Sequence, residues 1–412
     1  MIAFIFFGCS LLFLLHVSRA KAIEALSLYW VFIVFQCLYN VAPWAASFVD
    51  TSALSLLSDH AVIETQLTLS AISNFCFGAV FLTFYKRTPL AAPSSRASLR
   101  SGRNIFILAF PVFLLTFALC AKYGWNQFAT GVESADDQGG MFTVTAYAKH
   151  FFIAIYIYYL YRFRLNRWAW ILFLQNAIVM FIDGARTTFF PIAFLTFFIY
   201  ASQQVRATKK VYILAALAIF STIAARAIIF TGNSTALQKL VAPVVVEGTM
   251  GAYPSLQTIY AVQHHANDGY TYGASYIVDP LLLLLPKGGL RQSQFLKSWE
   301  QKINAGIPDE FAPMGGFYYV AEAVAAFSYL GPPLITTLFA ALMVWMESVK
   351  NRHRLVYFVW AGNIGVLFVK TNFANAFKIF ATQLLIVLLF AGIRRYRLFM
   401  AASVPALTQA QL

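Results

Sequence analysis

About eleven apolar runs, most near the length of a bilayer crossing, follow one another along this chain. They lie at roughly 2–17, 23–49, 67–85, 104–121, 143–161, 168–183, 187–202, 211–231, 332–347, 355–369 and 379–393. The hydrocarbon of a bilayer takes roughly 20 helical residues to cross, and only helices and closed barrels satisfy their backbone polar groups there. Of the 412 residues, 60% are hydrophobic and 11% charged, where a soluble domain carries roughly 25% charged residues. That balance excludes a soluble enzyme, a disordered chain and a disulfide-stapled module. The expectation is an all-α, polytopic membrane protein of about 11 transmembrane helices, forming one integral membrane domain over residues 1–412. The opening run, Ile2–Val17, has no basic leader and no small-residue cleavage site, so it reads as the first span. Cys9, Cys37, Cys76 and Cys120 all lie in apolar runs without metal or redox spacing and read as core filler.

Charge sets the expected topology. Alternate connections carry Arg19 and Lys21; Lys86, Arg87, Arg96, Arg100 and Arg103; Arg162, Arg164 and Arg167; Arg206, Lys209 and Lys210; Lys350, Arg352 and Arg354; and Arg394, Arg395 and Arg397. These hold 19 of the 30 basic residues, with Glu24 and Glu347 as the acids beside them, which leaves 11 bases against 14 acids elsewhere. The positive-inside rule makes the basic side cytoplasmic, the amino terminus outer and the carboxyl terminus inner. The overall charge of +14 is therefore a topology signal. Nucleic acid is not an expected partner, because no soluble domain interleaves basic and aromatic residues.

One long polar segment, 232–331, then falls on the outer face between spans 8 and 9 and is expected to contain short helices. Tyr253, Tyr260, Tyr270, Tyr272 and Tyr276 precede a proline-bracketed leucine run, Pro280–Pro286, too short to span and suited to an interfacial piece. Further on, the stretch through Leu330 reads as a helix on which Tyr318, Tyr319, Glu322, Ala326 and Tyr329 occupy neighbouring positions. Tyrosine rings offer a flat apolar body with a polar tip, which suits a sugar. A glutamate among them suits a general base; an interfacial aromatic belt with one solvated acid is the plainer reading.

Outer-face cations run against the charge bias. Arg186 sits in a tight outer turn, Arg226 inside a span, and Lys370 and Lys378 flank another short turn. An arginine deep in a span costs roughly 2.5–3.5 kcal/mol on insertion scales. An anionic ligand would compensate, and guanidinium forks match phosphate oxygens; snorkelling or pairing with Asp183 is the alternative. His264 and His265 are adjacent, point to different sides of any helix, and form no metal pair. Either could serve as a base near neutral pH. No nucleotide loop, zincin motif or nucleophile elbow occurs, so any substrate arrives already activated, and neither metal nor cofactor is expected.

The Gly184-Ala185-Arg186 turn, Arg226 and the long outer segment, with Gly269-Tyr270-Thr271-Tyr272-Gly273, Leu284-Leu285-Pro286, Phe311-Ala312-Pro313-Met314-Gly315-Gly316 and Glu322 through Pro332, resemble the bacterial oligosaccharide repeat-unit polymerases of the O-antigen type. The resemblance covers the chain by topology and 183–332 by motif. An arginine followed eleven positions later by glycine, found in outer loops of some members, occurs here from Arg354 to Gly365, starting on the cytoplasmic side. The resemblance implies a GT-C-like glycosyltransferase of the bacterial inner membrane, acting on undecaprenyl-pyrophosphate-linked oligosaccharide, with a chain-length regulator in the membrane as a partner. Arg186, Arg226, Arg291, Lys370 and Lys378 would then hold the pyrophosphate, Tyr318 and Tyr319 the sugar, and Glu322, His264 or His265 would take the acceptor's proton. An O-antigen ligase, sharing the donor, and a lipid-linked glycan flippase are the other readings; the absence of repeats and the long outer segment count against a transporter.

Overall fold

The structure is a computed structural model and describes residues 1–24, 27–47, 59–90, 99–123, 139–163, 165–183, 186–203, 236–264, 270–282, 284, 318–369, 371 and 373–409. Their regular elements are helices: α1 (Ile2–Ala20), α2 (Leu28–Ala46), α3 (His60–Phe84), α4 (Leu99–Tyr123), α5 (Gly139–Arg162), α6 (Arg167–Asp183), α7 (Arg186–Gln203), α8 (Ala236–His264), α9 (Ala274–Leu282), α10 (Tyr319–Phe327), α11 (Gly331–Val349), α12 (Arg354–Ala361), α13 (Ile364–Leu367) and α14 (Phe373–Gln409). No strand occurs among the described residues. Among the described residues, six helical stretches are long and apolar enough to cross a membrane: Ile2–Ala20, Leu28–Ala46, His60–Phe84, Arg103–Lys122, Tyr319–Val349 and Phe373–Ile393. The described residues are thus helical throughout their regular structure and suited to multiple membrane passes. Of the apolar runs read from the sequence, 211–231 lies outside the described residues.

The chain divides into two compact units. One comprises Met1–Leu90, Ala193–Arg352 and Ala361–Lys378; the other comprises Ala91–Ile192, His353–Trp360 and Ile379–Leu412.

In the first unit α3 is the central rod, packed against α1, α2, α8 and α11. Asp59 starts it by accepting hydrogen bonds from the backbone N–H groups of Ala61 (3.0 Å) and Val62 (3.3 Å), as an N-cap aspartate does. At Gly78 a Cβ would stand 2.5 Å from the Phe13 ring, so α1 and α3 approach as closely as small residues permit in a membrane bundle. A polar stripe, Gln66, Ser70, Ser73 and Asn74, recurs at helical spacing on the buried side of α3. Asn74 Nδ2 donates to Ser10 Oγ of α1 at 3.0 Å, and Gln66 Nε2 to the Tyr39 carbonyl of α2 at 2.9 Å.

Contacts at the two ends of α3 separate the connections. Glu64, near its start, pairs with the Met1 ammonium at 2.7 Å. Past its far end Arg87 lies 3.6 Å from Glu24, and Asn351 Nδ2 donates to the Pro89 carbonyl at 2.9 Å. The basic 19–24, 86–90 and 350–352 connections therefore gather at one end of the unit.

Among its described residues the segment 232–331 holds a helix longer than the short ones expected. Its first part is the 29-residue helix α8, packed against α2, α3 and α10. Gly248 and Gly251 allow this, since a Cβ there would meet Ala42 at 2.5 Å and the Tyr39 ring at 2.3 Å. Two helix breaks follow, the first at the expected end near Leu330 and the second within a run expected to be continuous. Between α10 and α11 the chain turns through a single 3-10 turn, Ser328–Leu330, with Ser328 at φ 55°. The run 355–369 is divided by Gly362 and Asn363 into α12 and the short α13.

In the second unit α4 packs against α5 and α6. Asn166 joins α5 to α6: its Oδ1 accepts from the Tyr159 hydroxyl (2.9 Å) and from the N–H groups of Trp168 (3.0 Å) and Ala169 (3.2 Å). Phe390 of α14 rests on Phe151 and Tyr158 of α5, with ring centroids 5.6 and 5.8 Å apart. Leu108 and Leu115 of α4 and Leu385 and Leu389 of α14 stay exposed, as lipid-facing side chains do.

Candidate functional site

Tyr318, immediately before α10, and Tyr319 and Glu322 within it form the best-defined polar centre of the first unit, and they face two ways. Tyr318 and Tyr319, both buried, turn toward α2 and α3. The Tyr318 hydroxyl donates to Gln36 Oε1, accepts from Asn40 Nδ2 at 3.0 Å, and lies 3.2 Å from Ser70 Oγ. The Tyr319 hydroxyl accepts from Gln36 Nε2 at 3.0 Å and from Thr336 Oγ1 of α11 at 2.9 Å. Gln36 and Asn40 are one turn apart on α2, so a single face of that helix serves both phenols. These tyrosines are therefore knit into the helix packing, where interhelical hydrogen bonds bind apolar helices together.

Glu322, one turn after Tyr319, turns elsewhere. It is 2% exposed. Its Oε2 accepts a 2.7 Å hydrogen bond from the Phe373 backbone N–H, the first N–H of α14, where the helix dipole favours negative charge. Its Oε1 is buried with no partner at close hydrogen-bond geometry, and the Ser275 hydroxyl acts on the carboxylate as a further donor. Around it stand Ser275, Tyr276 and Asp279 of α9; Asp279 acts on it electrostatically, and Tyr276 in turn feels Glu322 and Tyr319. Asp279 is 1% exposed, and the Tyr276 hydroxyl is buried without a hydrogen-bond partner.

Local geometry explains how α9 and the start of α14 reach α10. The Thr271 N–H donates to the Ala325 carbonyl at 3.1 Å, and the Tyr270 hydroxyl to Ser328 Oγ at 3.3 Å. Gly273 follows at φ +81°, with a Cβ position only 2.6 Å from the Phe327 ring; glycine alone takes that backbone without strain in that space. From there α9 begins, stacked over one end of α10. On the other side, the Tyr319 N–H donates to the Val369 carbonyl at 3.3 Å, and Tyr276 packs on Phe373 with centroids 5.6 Å apart. The break after α13 thus delivers the start of α14 to Glu322.

The other expected site residues distribute as follows. His264 ends α8, exposed, its Nδ1 2.9 Å from the Tyr260 carbonyl and its ring stacked on Tyr260 at 4.1 Å. Lys378 lies in the second turn of α14, on the helix whose first N–H holds Glu322. Arg186 opens α7 and belongs to the second unit. Arg226, Arg291, His265 and Lys370 lie outside the described residues. Sequence reasoning did not single out Asp279 or Ser275 as site residues. A signal existed, an acid embedded in the apolar stretch before Pro280, but nothing in the sequence ties it to Glu322, 43 positions away.

Chemically, a carboxylate with one oxygen fixed and the other buried without a close partner can take a proton or accept a hydrogen bond in a stated direction. No cluster of three or more His, Cys, Asp or Glu able to hold a metal occurs among the described residues. No protein-family model, curated protein or solved structure matches this chain.

Proposed function

We propose that this protein is a GT-C-like glycosyltransferase of about eleven spans that polymerises undecaprenyl-pyrophosphate-linked oligosaccharide repeat units at the outer face of the bacterial inner membrane. The observation that supports the reading best is Glu322, with Oε2 held by the Phe373 N–H and Oε1 without a close partner. A hydroxyl of the new repeat's non-reducing end attacks the anomeric carbon of the growing chain. The glycosidic bond forms, the bond from that carbon to the pyrophosphate oxygen breaks, and the hydroxyl's proton passes to Glu322 Oε1. Undecaprenyl pyrophosphate leaves with the bonding electrons, its charge met by Arg226, Arg291, Lys370 and Lys378, cations of the same unit as Glu322. The phenols of Tyr318 and Tyr319 act here by fixing α10 rather than by touching sugar.

The proposed orientation has the amino terminus periplasmic and the carboxyl terminus cytoplasmic. The gathering of 19–24, 86–90 and 350–352 at one end of the first unit supports it, because the positive-inside rule then assigns that whole end to the cytoplasm. The experiment is mass spectrometry of lipid-linked glycans from cells in which only the Glu322→Gln protein is present. Single repeats accumulating at the outer face, with polymer restored by the wild-type chain, are expected. Long lipid-linked polymer in cells lacking the protein would replace this reading with a ligase, and single repeats confined to the inner face would replace it with a flippase.

A further inference from the structure

We propose that α9 lies inside the bilayer, in the half of it remote from the basic connections, with Ile277, Val278 and Leu281 against lipid acyl chains. The proposal does not rest on the transferase reading. It moves a helix of the segment 232–331 from an aqueous connection into lipid.

The polarity of α9 is inverted. A helix on the surface of a water-soluble domain turns its apolar stripe inward and its polar face out. In α9 the inward residues are Ser275 and Asp279, 0% and 1% exposed, whereas Ile277 and Leu281 stand 69% and 60% exposed. Val278 is exposed beside them, and Leu284 just past the helix end. Ile277, Leu281 and Leu284 follow the i, i+4, i+7 spacing of one stripe, on the side opposite Ser275 and Asp279. An apolar stripe of this kind marks a contact surface, and its depth says with what.

Tyr318 and Tyr319 open α10 bonded to Gln36 and Asn40, near the middle of the 19-residue α2. Tyr318 also lies 3.2 Å from Ser70, near the middle of the 25-residue α3. The nine residues of α10 then rise about 14 Å, half of the hydrocarbon thickness, to the turn at Ser328–Leu330. That turn is remote from the basic connections, because α11 runs from Gly331 to Val349 and Asn351, just beyond, bonds Pro89 among them. Thus α10 occupies one half of the bilayer, and α9 packs on it. The Thr271 N–H, ahead of α9, donates to the Ala325 carbonyl near the turn. Tyr276 reaches Phe373, whose N–H holds Glu322 in the first turn of α10. So α9 descends from the turn to the depth of Glu322. Leu334 and Leu338 of α11 stand exposed in the same depth range, within a stretch able to span. Tyr272 and Tyr329, exposed beside the turn, fall at the level where tyrosine rings settle among headgroups.

The test uses the unaltered full-length chain in nanodiscs of phosphatidylethanolamine and phosphatidylglycerol, with a phospholipid carrying a diazirine in the middle of one acyl chain. After photolysis the adducts are mapped by mass spectrometry, and hydroxyl-radical footprinting is run on the same nanodiscs. Adducts on Ile277, Val278 and Leu281 in yields matching those on Leu334 and Leu338, with α9 left unoxidised, are expected. Oxidation of Ile277 or Leu281 without adducts would place α9 in water and overturn the proposal. Neither mark on α9, with Leu334 and Leu338 tagged, would overturn it as well, because protein from this chain or a second copy would then cover the stripe.

Discussion

Replacing Gly331 by alanine tests whether the turn between α10 and α11 is as tight as the structure shows. Gly331 has ordinary helical dihedrals, φ −58° and ψ −58°, so alanine meets no backbone penalty and gains up to about 1 kcal/mol in helix propensity. The obstacle is space. A Cβ at Gly331 would lie 1.9 Å from the Ala323 carbonyl oxygen and 2.5 Å from its carbon. Ordinary contact begins near 3.4 Å, so the two helices must separate by about 1.5 Å, and the opposing atoms are backbone that cannot rotate away. Overpacking of this kind costs about 1–3 kcal/mol and sometimes more; with no side chain to yield, the upper end applies. Net of propensity the expected loss is about 2 kcal/mol. Gly8→Ala is the control, because a Cβ on Gly8 meets nothing within 4 Å and should be neutral or stabilising by up to about 1 kcal/mol. The two variants thus differ by about 3 kcal/mol, or roughly 6–12 °C in apparent melting temperature at about 2–4 °C per kcal/mol. The assay is thermal unfolding of purified protein in one detergent, followed by gel filtration. Equal melting of Gly331→Ala and Gly8→Ala would refute the close crossing, and with it the path that brings α10 beneath α9.

Three further outcomes are expected. Tyr318→Phe strips a hydroxyl shared by Gln36, Asn40 and Ser70 and should cost about 1–2 kcal/mol, more than Tyr29→Phe, which loses the single 2.6 Å bond to the Leu14 carbonyl; the same melting assay ranks them. Lys350→Met removes the ammonium 2.6 Å from the nearly buried Glu347, a loss of about 1–3 kcal/mol read in the same melting assay. Gly273→Ala forces a side chain into φ +81° against the Phe327 ring, costs about 1–3 kcal/mol, and should melt below the wild type in the same assay; wild-type melting would show that α9 need not sit where it does.

Legibility followed the range of the interactions. The apolar runs at 2–17, 67–85 and 104–121 reappear as α1, α3 and α4, because a helix in apolar surroundings satisfies its own backbone and needs only composition to announce it. The helix carrying Tyr319 and Glu322 was equally visible, and Tyr318 stands immediately before it. By contrast the sequence does not announce α8, a 29-residue helix within a segment expected to hold only short ones. Its mixed composition hides a packing role that depends on Gly248 and Gly251 fitting against α2. The division of 355–369 into α12 and α13 was also invisible, since no proline marks it and the Tyr319 N–H to Val369 carbonyl bond that accompanies it comes from a distant segment.

By itself, then, the sequence determined a helical, membrane-spanning chain and the alternation of its basic connections, properties carried by neighbouring residues and the surrounding solvent. The tertiary structure decided which polar groups meet. Tyr318 faces Gln36 across 282 positions and Glu322 faces Phe373 across 51. Such pairings depend on which helix faces touch and where helices break, and both are set by close packing among elements far apart in the chain.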